Sequence, residues 1–187
     1  MPYVRPIITD GHPTLRKVAK KVDLKELHDP LFQQLIDDMF ETMREYQGVG
    51  IAAPQIHVGL RLFVAGFPAS RRDSDEEDDE ERVPLMALIN PEITPVGSAT
   101  EEDWEGCLSI PDIRGKVPRA REIQVRAYDR RGRRIDIRAK GFTARVIQHE
   151  SDHLDGVLFF DRMKSFETLT FLEEFGRYWT SRDVPEE

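Results

Sequence analysis

One six-residue stretch, Gln148-His149-Glu150-Ser151-Asp152-His153, limits what this chain can be more than any other feature. It is an HExxH pattern that ends an apolar run and is followed by Leu154-Asp155-Gly156. On an α-helix, residues four apart rise about 6 Å and sit about 40° apart around the axis, so both imidazoles can face one metal ion. Glu150 lies beside them, where a carboxylate can take a proton from a metal-bound water. The pattern outlines a hydrolytic site with two ligands and a base. The plainer reading is a solvated helix face that happens to carry two histidines. A third protein ligand has to come from elsewhere in the chain.

Size and composition set the frame for that site. The 187 residues, 39% of them hydrophobic, suffice for one domain burying about 70% of its unfolded surface without covalent staples. Cys107 is the one cysteine, so no internal disulfide can form, and a reducing compartment is favoured. No apolar run approaches the roughly 20 residues of a membrane span, and the N-terminus has no apolar signal core, so a cytoplasmic location is expected. No motif for binding nucleic acid stands out. The net charge of -8 has a local origin: eight of the nine residues from Asp73 to Glu81 are acidic. Of the 35 acids, the 27 outside this block equal the 27 Lys plus Arg. Such a block repels itself and buries no apolar area, so residues 69–82 are expected to form a solvated loop within a single domain spanning 1–187.

The elements around the motif follow from periodicity. Asp29 can cap a helix that Pro30 begins, and Leu31, Phe32, Leu35, Ile36, Met39, Phe40 and Met43 keep a 3.6-residue period, which predicts a core-facing helix. Gly48 is expected to end it in the left-handed conformation. The small residues of Gly48-Val49-Gly50-Ile51-Ala52-Ala53-Pro54-Gln55 fit either a tight turn or a backbone that approaches a ligand, and the Gln55 amide could donate to a developing oxyanion. Arg61 to Ala65 and Leu85 to Ile89 read as strands. Ile123, Val125 and Ala127 alternate with polar residues, as do Ile135, Ile137 and Ala139, predicting a hairpin across Asp129-Arg130-Arg131-Gly132. Gly141-Phe142-Thr143 then leads into the HExxH helix, which should end near Gly156.

The third ligand separates the classes of metal site. Cys107, within Glu105-Gly106-Cys107-Leu108-Ser109-Ile110-Pro111, lies 42 residues before His149, too far for a compact finger but compatible with a catalytic ion. A small buried hydrophobe is the bland reading of a lone cysteine. A metzincin would need a histidine at Phe159, and that reading fails. A thermolysin-like zinc peptidase using Glu173 or Glu174 on a C-terminal helix stays open. So does a non-enzymatic, metal-stabilised interaction domain, although no fourth ligand for a closed site is evident.

Three separated segments, Gly48 to Gln55, Glu105 to Ser109 and Gln148 to His153, resemble in order and spacing the three signature motifs of the peptide deformylases. The likeness runs from about Ile7 to Met163 and includes the opening His12-Pro13-Thr14-Leu15-Arg16; Ile51 stands where leucine is usual. The resemblance implies an α+β fold, with antiparallel β-sheets packed around a central HExxH helix, an N-terminal core helix and a C-terminal helix. It implies Fe(II) held by Cys107, His149 and His153, with Zn, Ni or Co as possible substitutes. It also implies removal of the formyl group from N-terminal formyl-methionine of nascent chains, with transient ribosome contact. Glu150 would be the base, and the Gln55 side chain and Leu108 backbone N–H would meet the oxyanion. Gly48, Gly50, Gly106 and Arg114 would meet the peptide. Ile51, Phe142 and Val146 are expected to line a methionine pocket, because positions 142, 146 and 149–150 share a helix face.

Overall fold

The computed structural model describes residues 2–66 and 83–180, so the expected acidic loop at 69–82 lies outside the described residues. Among the described residues, eight strands and three α-helices follow one another: α1 (Pro30–Glu45), β1 (Gly50–Ala52), β2 (Leu62–Ala65), β3 (Met86–Pro95), β4 (Thr100–Cys107), β5 (Ile110–Ala120), β6 (Glu122–Tyr128), β7 (Arg134–Lys140), α2 (Gly141–Leu154), β8 (Thr170–Phe171) and α3 (Leu172–Tyr178). They form a five-stranded sheet in the order β1-β2-β3-β6-β7 and a three-stranded sheet in the order β4-β5-β8. All the strand pairs are antiparallel. The expected α+β arrangement is the one observed.

The pleat of the five-stranded sheet explains why two helices flank it. Along β2, Leu62 and Val64 join one cluster while Phe63 and Ala65 join the other, and along β3 Ala87 and Ile89 alternate in the same way with Leu88. On one face the sheet meets α1 through Phe32, Leu35, Ile36, Met39 and Met43. On the other it meets α2 through Ala144, Val146, Ile147 and Leu154. Each of the larger of these side chains, Ala144 apart, contributes roughly 1.5–3 kcal/mol relative to exposure.

The caps show which local signals decide the ends of α1. Asp29 Oδ1 accepts the Leu31 N–H at 2.8 Å, with Pro30 in the first turn. At the other end Gln47, not Gly48, takes the left-handed conformation (φ 55°), and the Gly48 N–H reaches back to the Met43 carbonyl at 2.9 Å. Gly48 is small for another reason: a Cβ there would lie 2.9 Å from Leu108 Cδ1. The predicted hairpin appears as β6 and β7, with Val125 opposite Ile137.

A candidate active site between two sheet edges

Among the described residues the two sheets do not join, and β1 ends one while β4 ends the other. These edges flank a cleft of about 720 Å³, lined by Gly48, Val49 and Gly50 from one side and by Trp104, Gly106 and Leu108 from the other. An edge strand has unpaired backbone donors and acceptors, and an extended peptide can use them. The floor of the cleft comes from α2, through Phe142, Val146, His149 and Glu150.

Cys107, His149 and His153 converge there, with one ligand atom from each lying within 4.8 Å of the others. The two histidines are one helical turn apart on α2. Cys107 ends β4, where a register shift between Gly106 and Cys107 departs from the regular ladder. Cys107 Sγ lies 3.3 Å from His153 Nε2. One thiol and two imidazoles, mutually close and largely buried, fit a divalent transition metal with a position left for water or substrate. Burial and the neighbouring His149 push the pKa of His153 down, which favours the neutral imidazole that a metal needs. Glu173 and Glu174 are elsewhere: on α3 Glu173 is exposed and Glu174 half-buried, and both pair with Arg177, so the thermolysin-like arrangement is not formed.

Two carboxylates beside these ligands have opposite surroundings. Glu105 Oε2 lies 2.9 Å from His149 Nδ1, and Glu105 also accepts from Arg119 Nε at 2.9 Å and Arg145 Nη1 at 2.8 Å. Burial alone would raise its pKa, but donation from Arg119 and His149 outweighs burial and holds the group well below the usual carboxylate range. It therefore stays ionised, orients the His149 ring and leaves Nε2 for the metal. Glu150, by contrast, is buried with Oε2 unpartnered, and burial pushes its pKa up to about 7. Only glycine at position 50 admits it, since a Cβ there would fall 2.4 Å from Glu150 Oε1.

Gln55 is aimed by its own turn. Its Oε1 accepts the Ala52 N–H at 2.8 Å, which directs Nε2 toward Ser109 Oγ at 3.1 Å and Cys107 Sγ at 3.6 Å. Arg114 stacks its guanidinium over Gly106, where a Cβ would lie 2.0 Å from Nη1. Gly48, Gly50, Gly106, Leu108, Phe142 and Val146 all line the cleft. Ile51 does not. Its side chain is wholly buried in the cluster with α1, because the pleat turns residue 51 to the sheet face opposite α2. Val49 lines the cleft instead.

Sequence reading passed over the role of Glu105, and Arg119 and Arg145 behind it. One signal was available: Arg145 lies four residues before His149, on the ligand-bearing stripe of the helix. Nothing local marks Arg119, which reaches Glu105 only through the β4–β5 pairing.

Comparison with known proteins agrees with this geometry. The family model described as polypeptide deformylase matches residues 4–168. Peptide deformylase 2 of Ralstonia nicotianae is 44% identical over 170 residues, covering 91% of this chain and 93% of its own. Peptide deformylase 2 of Pseudomonas putida is 45% identical over the same length, with the same coverage. Among solved structures, the Met-Ala-Ser-bound class I type b peptide deformylase of Acinetobacter baumannii superposes with a TM-score of 0.76 at 38% identity, covering 87% of this chain and 100% of that one. The three motifs, the Cys-His-His cluster and the fold thus lead to one conclusion: this chain belongs to the polypeptide deformylase family.

Proposed function

We infer that this chain is a metal-dependent hydrolase that removes the formyl group from N-terminal formyl-methionine of newly made polypeptides, releasing formate. The observation that carries the reading is the convergence of Cys107, His149 and His153 within 4.8 Å, in the cleft that Glu150 and Gln55 also line. Cys107, His149 and His153 would hold the ion, which when bound acidifies water and polarises a carbonyl.

The reaction adds water across a formamide and needs a base, an oxyanion partner and a proton for the leaving amine. Glu150, poised near neutrality by burial, takes the proton of the attacking water and returns it to the amine nitrogen as the C–N bond breaks. Gln55 Nε2 donates to the developing oxyanion, and the Leu108 N–H is its partner; one such donor is typically worth about 3–4 kcal/mol. Gly50 and Gly106 leave the two sheet edges open to the peptide backbone, and Arg114 waits over Gly106 for a substrate carbonyl or carboxylate. Phe142, Val146 and Val49 surround the methionine side chain, while Gly48 lets the walls close. Fe(II) is our assignment for the ion, with Zn, Ni or Co as substitutes; a thiolate beside ferrous iron makes the site sensitive to oxygen. The formyl-methionyl substrate places the enzyme in the cytoplasm, in transient contact with ribosomes, with residues 1–187 acting as one catalytic domain.

The deciding assay is formate release from formyl-Met-Ala-Ser under anaerobic conditions with added Fe(II). Rapid release is expected. Cys107→Ser should reduce bound metal and activity together, whereas Glu173→Ala should change neither. No formate, with cleavage of unformylated peptides instead, would overturn the reading.

A further inference from the structure

Gln55 and Leu108, the two groups assigned to the oxyanion, belong to different parts of the fold. Gln55 lies in a single 3-10 turn, Ala53–Ile56, directly after β1 of the large sheet, whereas Leu108 lies in the turn between β4 and β5 of the small one. Among the described residues no strand pairing joins those sheets, so their ladders do not set the distance between the two turns. The N-terminal segment crosses from one turn to the other. The Ile8 N–H donates to the Gln55 carbonyl and the Asp10 N–H to the Ser109 carbonyl, each at 2.8 Å. Residues two apart in a chain are separated by at most about 7 Å, so this pair of bonds limits how far the turns can part. Gln55 Nε2 crosses the same gap to Ser109 Oγ at 3.1 Å, which uses one of its two N–H groups and leaves the other for the oxyanion.

The crossing segment adds little to the core. None of residues 2–14 is buried, and Leu15 is the first side chain to enter the interior. The segment is nevertheless tied down on both sides of the crossing. Before it, the Tyr3 N–H donates to Asp38 Oδ1 at 3.0 Å and the Arg5 N–H to Thr42 Oγ1 at 2.8 Å, using the two buried polar side chains of α1. After it, the His12 ring meets His57 edge-on at 4.7 Å, and His57 ends the Gln55 turn in the left-handed conformation (φ 66°). Ile7 and Thr9, on either side of Ile8, line the cleft. Hydrogen bonds that secure no apolar burial add modest stability, but they do fix position. Position matters here, because a misplacement of about 1 Å can cost roughly 10²-fold in rate.

We propose that Ile7 to Asp10 form a strap that sets the geometry of the oxyanion site. Ile8 and Asp10 are its positioning residues, and they act through their backbone N–H groups on the Gln55 turn and on the turn that carries Leu108. The strap rests on the deformylase reading, and it makes the attachment of the N-terminal segment to α1 part of the catalytic geometry.

An ester in place of the amide at residue 8 tests it, introduced into the full chain as the α-hydroxy acid of isoleucine. The ester removes the N–H donor and keeps the side chain and the backbone shape. With formyl-Met-Ala-Ser and Fe(II)-loaded enzyme, kcat should fall about tenfold while KM stays within about twofold, because a donor used in the transition state is displaced. Bound metal should be unchanged. In a Gln55→Ala background the same ester should change kcat by less than about twofold, since the group it positions is gone. An ester at residue 8 with kcat within twofold of the parent, or a loss just as large in the Gln55→Ala background, would overturn the strap. Absence of formate from the unmodified chain would instead overturn the deformylase reading on which it rests.

Discussion

Helices α1 and α2 bury themselves against opposite faces of one sheet, but they bury different things. The interior side of α1 is apolar except for Asp38 and Thr42, and both are satisfied: Asp38 accepts from the Tyr3 N–H at 3.0 Å and from Arg5, and Thr42 accepts the Arg5 N–H at 2.8 Å. The interior of α2 holds Arg145, His149, Glu150, Asp152 and His153. Its apolar residues face the large sheet, while Arg145 reaches across to the Glu101 and Val117 carbonyls of the small one, each at 2.8 Å. Glu150 Oε2 and His153 Nδ1 remain unpartnered. Burying polar groups without partners costs stability, so α1 is built for the fold and α2 keeps groups the fold alone would not select.

The sharpest break of this contrast is Glu150→Ala. Formate release should fall by roughly 10²- to 10⁴-fold while bound metal is kept and thermal stability is unchanged or higher, because a buried carboxylate without a partner is removed. A marked drop in melting temperature would show that Glu150 is structural as well. On α1 the reverse is expected: Met39 is wholly buried, and Met39→Ala should cost about 3 kcal/mol in urea unfolding with kcat/KM at 25 °C within about twofold of the parent. If that variant lost activity in proportion to stability, the two helices would be coupled more tightly than their separate clusters suggest.

The smallest effect concerns charge on α1. Burial alone would raise the pKa of Asp38, yet hydrogen bonds from Gln34, Arg5 and the Tyr3 N–H outweigh it and lower the value. A lowered folded-state pKa stabilises the protein above the ordinary carboxylate value of about 3.9, and that contribution is lost as pH falls through the folded value. Asp38→Asn should therefore be about 2 kcal/mol less stable at pH 7, and the gap should close as the pH falls below about 4. A gap independent of pH would mean that shape, not charge, fixes the N-terminal segment to α1.

Much of this was legible in the chain. The period of Phe32 to Met43, the cap at Asp29, the alternation in β6 and β7 and the HExxH spacing are local signals, and local geometry obeyed them. Residue type left Cys107 and Glu173 or Glu174 open as the third ligand, and only the resemblance of three motifs in order and spacing to a known family pointed to Cys107. Only the tertiary structure decided which face a residue shows and which distant partner it meets. Ile51 turned away from the cleft because β1 pairs with β2 in one register, and a slip of one residue reverses every side chain. Glu105 came to orient His149 because an edge strand of the small sheet packs against a helix 44 residues further along. Sequence carries periodicity and chemistry, which are local. Register and packing are settled by contacts that exist once the chain has folded.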